Sequence, residues 1–190
     1  VATVSATGLD TGVATGTATI TATTVTGITA TCAVTVTATA TNSTELNSLL
    51  ANPAAIDIIY DSTATETVEI SEGNYSEKTL TINAPNATFK NHAKFKSVTV
   101  NAIAQNTYIE YTENTINYNA SSGHVVVENT GVATINLATA SSSVSVENNG
   151  TVSSINVTSQ VNLKISGSNQ VPVNLSESAT NTNIDTSVTL

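Results

Sequence analysis

The chain has 190 residues, with 5 Lys, no Arg and 14 Asp plus Glu, for a net charge of -9. That balance excludes a nucleic-acid binder, which needs a basic stripe to neutralise phosphates, and it removes polybasic attraction to anionic membranes. Thirty-six Thr, with abundant Val, Ile and Asn, make a strand-and-turn composition rather than a helical or disordered one. One Cys excludes an internal disulfide, and the absence of Met points to a fragment or processed product. No apolar run reaches the roughly 18 residues of a membrane span, so no membrane insertion is expected, and no signal peptide is visible.

Composition breaks at about Thr41/Asn42. Residues 1–41 hold no Asn, Lys or Pro, and their only acid is Asp10, whereas Asn is among the commonest residues afterwards. Two domains are therefore expected, 1–41 and 42–190. In the first, Ala18, Ile20 and Ala22 alternate with Thr, and so do Cys32, Val34 and Val36. Period two predicts strands with one buried face, with Cys32 a buried thiol, and Gly27 between the runs predicts a hairpin turn.

Residues 1 to about 37, through "VATVS", "GTATITAT" and "ATCAVTV", resemble the C-terminal half of a bacterial immunoglobulin-like domain of group 2. The family's opening strands are missing, and half a sandwich leaves its inner face uncovered.

The segment "NSTELNSLLANP" predicts a helix over 42–51. Asn42 caps it, Glu45 reaches back as in a capping box, Leu46, Leu49 and Leu50 form an apolar stripe, and Asn52-Pro53 stops it. "AIDIIY" reads as a buried strand.

From residue 78 onward a repeat emerges. Leu80, Val98, Ile116, Ile135, Ile155 and Val173 are spaced 18, 18, 19, 20 and 18, each with an apolar partner two residues on. A second series is Phe89, Ile109, Val127, Val146 and Ile165; a third is Phe95, Val132 and Val152; Ala84, Ala102, Ala120 and Ala138 form a stack of small residues. Three short strands and three turns per 18 to 20 residues describe one coil of a parallel β-helix, whose stacked coils share an internal apolar column. Between the inward pairs, Thr81, Thr99, Asn117, Asn136, Asn156 and Asn174 face outward as a column suited to side-chain ladders.

Residues 42–190 thus resemble the right-handed parallel β-helices of pectate-lyase-like architecture. The resemblance implies right-handed winding and a helix plugging the N-terminal end. Left-handed β-helices also use 18-residue coils, but with strict hexapeptides that are not visible here. The expected fold is all-β: a right-handed parallel β-helix with a short N-terminal capping helix, preceded by a partial immunoglobulin-like sandwich.

Candidate sites are few. Glu110, Glu128 and Glu147, 18 and 19 apart, are expected to form an outward acidic column, with Lys90 and Lys164 beyond its ends. Calcium needs about six to eight oxygens, more than a single file of carboxylates supplies. The column therefore reads as a solvated face, with no metal ion assigned. Asp57 and Asp61 flank a strand expected to lie under the plug. His92 and His124 sit at turn-like positions without ligand spacing. Tyr118 has inward parity, whereas Tyr111 could face out and stack on a sugar. An ice-binding face needs Thr on every coil, and the column turns to Asn at residue 117. The sequons at Asn74 and Asn86 are expected by chance in so polar a chain.

No acid pair converges beside a base, so no catalytic residue and no cofactor are assigned, and the chain is expected not to be an enzyme. The functional expectation is a non-enzymatic, monomeric module of a longer secreted or cell-surface bacterial protein, with an adhesion or stalk role and glycans or surface components as partners. The alternative is a polysaccharide-active or carbohydrate-binding β-helix protein whose groove lies outside this stretch.

Overall fold

Alternation with period two commits each strand to one apolar face, and parallel stacking lets successive faces share one interior. A computed structural model describes residues 2–5, 7–8, 10–12, 16–104 and 108–188; the remaining residues of the stretch resembling an immunoglobulin-like domain lie outside it.

Two antiparallel pairs come first. β1 (Ala2–Val4) pairs with β2 (Asp10–Gly12), and β3 (Gly16–Thr23) with β4 (Thr29–Val36). Gly27 closes the β3–β4 turn at φ +82, where a Cβ is disfavoured. The register sets Ala18 opposite Val34 and Ile20 opposite Cys32. This face is not buried, contrary to expectation: Ala18, Ile20, Val34 and Val36 are half-buried and Cys32 is exposed. Two strands alone cannot enclose a side chain.

A parallel solenoid follows, made of β5 (Ala38–Ala40), α1 (Ser43–Ala51), β6 (Asp57–Asp61), β7 (Thr67–Ala84), β8 (Thr88–Ile103), β9 (Tyr108–Glu110), β10 (Glu113–Tyr118), β11 (Ser122–Val127), β12 (Val132–Leu137), β13 (Ser142–Asn148), β14 (Thr151–Val157), β15 (Val161–Gly167), β16 (Val173–Leu175) and β17 (Asn183–Thr186). The first side stacks β5, β6, the ends of β7 and β8, then β10, β12, β14 and β16. The second stacks the starts of β7 and β8, then β9, β11, β13, β15 and β17. A short third side joins them where residues 73–75 pair with 93–95. The first rung, β5, lies before the compositional break at 41/42.

The first inward column is the expected one. Leu80, Val98, Ile116, Ile135, Ile155 and Val173 are successive ladder partners, and Ile58 and Ala38 extend the column upstream. The 20-residue step from Ile135 to Ile155 has a local cause. The register shifts between Ala133 and Thr134, so Ser153 is an extra residue absorbed at a bulge.

The other columns differ from the sequence reading by one or two residues. The second-side column runs Val68, Phe89, Tyr108, Val125, Val146, Ile165, so Ile109 points outward and Val127 belongs to the neighbouring inward column. The third column runs Phe95, Asn114, Ala133, Val152, all buried, and leaves Val132 half-buried. The alanine stack breaks as well: a register shift after Ile82 sets Ala84 beside Ile103, and Ala138 is exposed.

α1 occupies the path between the first two rungs. Asn42 Oδ1 accepts from Glu45 N at 3.0 Å, and Glu45 Oε2 accepts from Thr41 N at 2.8 Å, a capping box displaced by one residue. Those Thr41 bonds hold the Glu45 carboxyl below its usual range. Leu46 and Leu50 are buried in the solenoid core, with Leu49 partly so. Two polar clamps fix the helix. Ser43 Oγ donates to Glu66 Oε2 at 2.9 Å, and Glu66 Oε1 accepts from Tyr60. The buried Lys78 Nζ donates to Asn52 O at 2.6 Å and to Ala55 O, past the C-terminal end of α1, and burial lowers its pKa.

Candidate functional site

Three arrangements of polar side chains stand out from the apolar columns: outer ladders, an interior network and a corner groove.

The outer ladders lie on the first side. Asn136 Nδ2 donates to Asn117 Oδ1 at 2.8 Å, Asn156 to Asn136 at 2.9 Å and Asn174 to Asn156 at 2.9 Å. A second ladder, not anticipated from the sequence, joins Asn119 to Asn101 at 3.1 Å and Asn101 to Asn83 at 3.0 Å. Rung spacing near 4.8 Å allows each amide to donate to the next in register. Thr81 and Thr99 occupy the rungs before Asn117.

The interior network corrects the acidic column. Asn91 pairs with Glu110, and Glu110 with Val127, so all three face inward. Glu110 is fully buried. Its Oε1 accepts from Asn91 Nδ2 at 3.1 Å, Asn114 Nδ2 at 3.1 Å and Thr112 N at 3.1 Å; its Oε2 accepts from Tyr108 Oη at 2.9 Å. Asn91 and Asn114 also bridge the Ala93 and Phe95 backbones, which satisfies the strand corner. Burial pushes the Glu110 carboxyl up to about 7, against those donors, which favour the charged form. Burial also raises the Tyr108 phenol, with the Glu110 charge adding to the shift. Two coils further along the same column, Asn148 Oδ1 is buried without a partner among the described residues, while its Nδ2 donates to Gln170 O at 2.9 Å.

The other two acids stay outside. Glu147 alternates with the inward Val146 and Asn148, and Glu128 sits just past the end of β11; both are half-buried. Asn149 Nδ2 bridges them at 3.3 Å to Glu128 and 3.0 Å to Glu147, and His124 Nε2 lies 3.4 Å from Glu147 Oε2. Lys90 and Lys164 do not extend this pair: Lys90 is laddered with Glu69 and Ile109, and Lys164 with Ser145 and Asp185. Among the described residues, no group of three or more His, Cys, Asp or Glu is placed to hold a metal ion. Asp57 and Asp61 are the end residues of β6 and are exposed, not covered by α1 as expected, and Asp57 accepts from Thr79 Oγ1 at 2.8 Å.

The corner groove follows the second side. His92 lies on a strand rather than in a turn, directly after the inward Asn91, and Tyr111 follows the inward Glu110 one coil on. Their rings stack with centroids 4.2 Å apart and planes 10° apart. His92 Nε2 lies 3.5 Å from Glu69 Oε1. Glu72, Thr112, Asn129 and Thr130 join the two rings around a cavity of about 340 Å³. Tyr118, by contrast, is buried as its parity predicts, and its Oη donates to Ser122 O at 3.1 Å.

The interior network escaped the sequence reading because Tyr108 and Ile109 are adjacent and both can serve as core residues. Either choice of parity satisfies the apolar pattern, and only the choice of Tyr108 brings Glu110 inside. Among the described residues, no helix is long and apolar enough to cross a membrane. Comparison with protein families, with curated proteins and with solved structures finds no match to this chain.

Proposed function

We propose that this chain is a non-catalytic module of a secreted or cell-surface bacterial protein, with an adhesion or presentation role. The observation that carries the reading is the pair of asparagine ladders on the first side. Side chains bonded to one another along the solenoid stiffen a long face and leave few free groups to converge on a reacting atom. In this reading residues 1–37 contribute two hairpins of a group 2 immunoglobulin-like sandwich, and the solenoid winds right-handed in the pectate-lyase-like manner. Both parts then act as spacing units whose outer faces meet a surface.

Beads coated with the chain are expected to be retained on host mucin or on bacterial cell-wall material under gentle flow. Equal loss of coated and uncoated beads on both surfaces would remove the adhesion role. A screen over pectins, xylans and alginates is expected to yield no new reducing ends and no unsaturated products. Turnover lost in Glu128→Gln would install the polysaccharide-active alternative instead.

A further inference from the structure

We propose that the corner groove beside His92 and Tyr111 is a binding subsite for one neutral sugar residue of a glycan. The inference deepens the surface-module reading and rests on it.

The groove is assembled by the coil repeat. Glu72 comes from β7, His92 from β8, Tyr111 and Thr112 from the link between β9 and β10, and Asn129 and Thr130 from the turn after β11. Four successive coils thus supply one concave site. Its aromatic element is unusual in this chain. Tyr60, Phe89, Phe95, Tyr108 and Tyr118 are buried in the core, and Tyr75 packs on Phe95 with ring centroids 5.5 Å apart. Tyr111 instead lies half-exposed at the rim, where the outward positions of neighbouring coils are mostly Thr, Asn, Ser and charged residues.

The rings are held before any ligand arrives. Tyr111 N donates to Asn91 O at 2.9 Å, Thr130 Oγ1 donates to Tyr111 O at 3.0 Å, and His92 stacks on the Tyr111 ring. Such fixing lowers the entropy lost when a weak ligand binds.

The chemistry of the lining selects the ligand class. An aromatic surface suits the C–H face of a pyranose, while Glu72, Thr112 and Asn129 offer acceptors and donors to hydroxyl groups. Glu69 and Glu72 flank the groove in a chain of net charge -9, which disfavours anionic sugars. The polar lining is a poor match for an apolar ligand. A cavity near 340 Å³ has room for one sugar ring.

The test uses the full chain and tetrasaccharides of glucose, galactose, mannose and N-acetylglucosamine, with binding read by heteronuclear NMR titration. At least one is expected to shift the His92 and Tyr111 resonances with millimolar affinity. Tyr111→Ala should weaken that binding at least 10-fold, and the exposed Glu72→Gln several-fold, with circular dichroism spectra unchanged. Tyr75→Ala, at an aromatic site away from the groove, should bind as wild type. Failure of all four sugars to shift these resonances overturns the proposal, as does affinity indifferent to Tyr111→Ala. Saturable binding of tetramethylammonium in place of the sugars would reassign the groove to cations. Bead retention without sugar binding would sink this inference alone, whereas loss of both would sink the surface-module reading with it.

Discussion

Tyr108 Oη donates to Glu110 Oε2 at 2.9 Å inside the solenoid, with both residues fully buried on one three-residue strand. The pair places a carboxyl in an inward column whose neighbouring rungs are Ile70, Asn91, Val127 and Asn148. The energetic consequence is a dependence of folding on pH.

The unfolded carboxyl titrates near 4.5 and the folded one near 7. The folded state therefore binds the proton more tightly. The resulting stability is fully present below about pH 4.5, is lost as pH rises towards 7, and changes little above that. The difference corresponds to about 3 kcal/mol. Urea unfolding across this range is expected to show falling stability, and Glu110→Gln should flatten the slope. A wild-type slope that persists in the variant would assign the effect to other groups.

The first inward column should be the most costly place to remove volume. Ile135→Ala, between Ile116 and Ile155, is expected to cost about 2 to 5 kcal/mol. Asn136→Ala, one residue on but facing out, removes two ladder bonds and should cost about 1 to 2 kcal/mol. Denaturant midpoints at constant m-value would check the ranking, and a smaller loss for Ile135→Ala would refute it.

Leu46 and Leu50 of α1 are buried in the core cluster, and α1 lies between the first two rungs β5 and β6. Replacing both with Asp should expose apolar side chains and unpaired strand edges, lowering Tm and promoting association. Size-exclusion chromatography with a thermal melt reads both effects. A monomer with unchanged Tm would show that α1 contributes no cover.

Gly131 sits at the corner between β11 and β12, where a Cβ would lie 2.4 Å from Glu110 O. Gly131→Ala must push two coils apart at the strand beside the buried carboxyl. The expected outcome is a loss of at least about 1 kcal/mol. It should be accompanied by faster hydrogen exchange of the Glu128 amide, which donates to Glu110 O at 2.9 Å. Wild-type stability and exchange would show that the corner has slack.

The sequence by itself determined the repeat, the first inward column, the outer asparagine column and the capped helix. Each depends on local pattern: period two along the strand, 18 to 20 residues between coils, and a cap three residues from its acid. Tertiary structure decided what local pattern leaves degenerate. The step from Phe89 to the next inward residue is 19, to Tyr108, rather than 20, to Ile109. That single residue moves Glu110 from the solvent face to the core. Short strands broken by corners and bulges carry no long-range phase, so each coil resets its parity where its side chains pack best. Here the amides of Asn91 and Asn114 and the phenol of Tyr108 stand around the inward carboxyl, and these partners converge only when two successive coils are stacked.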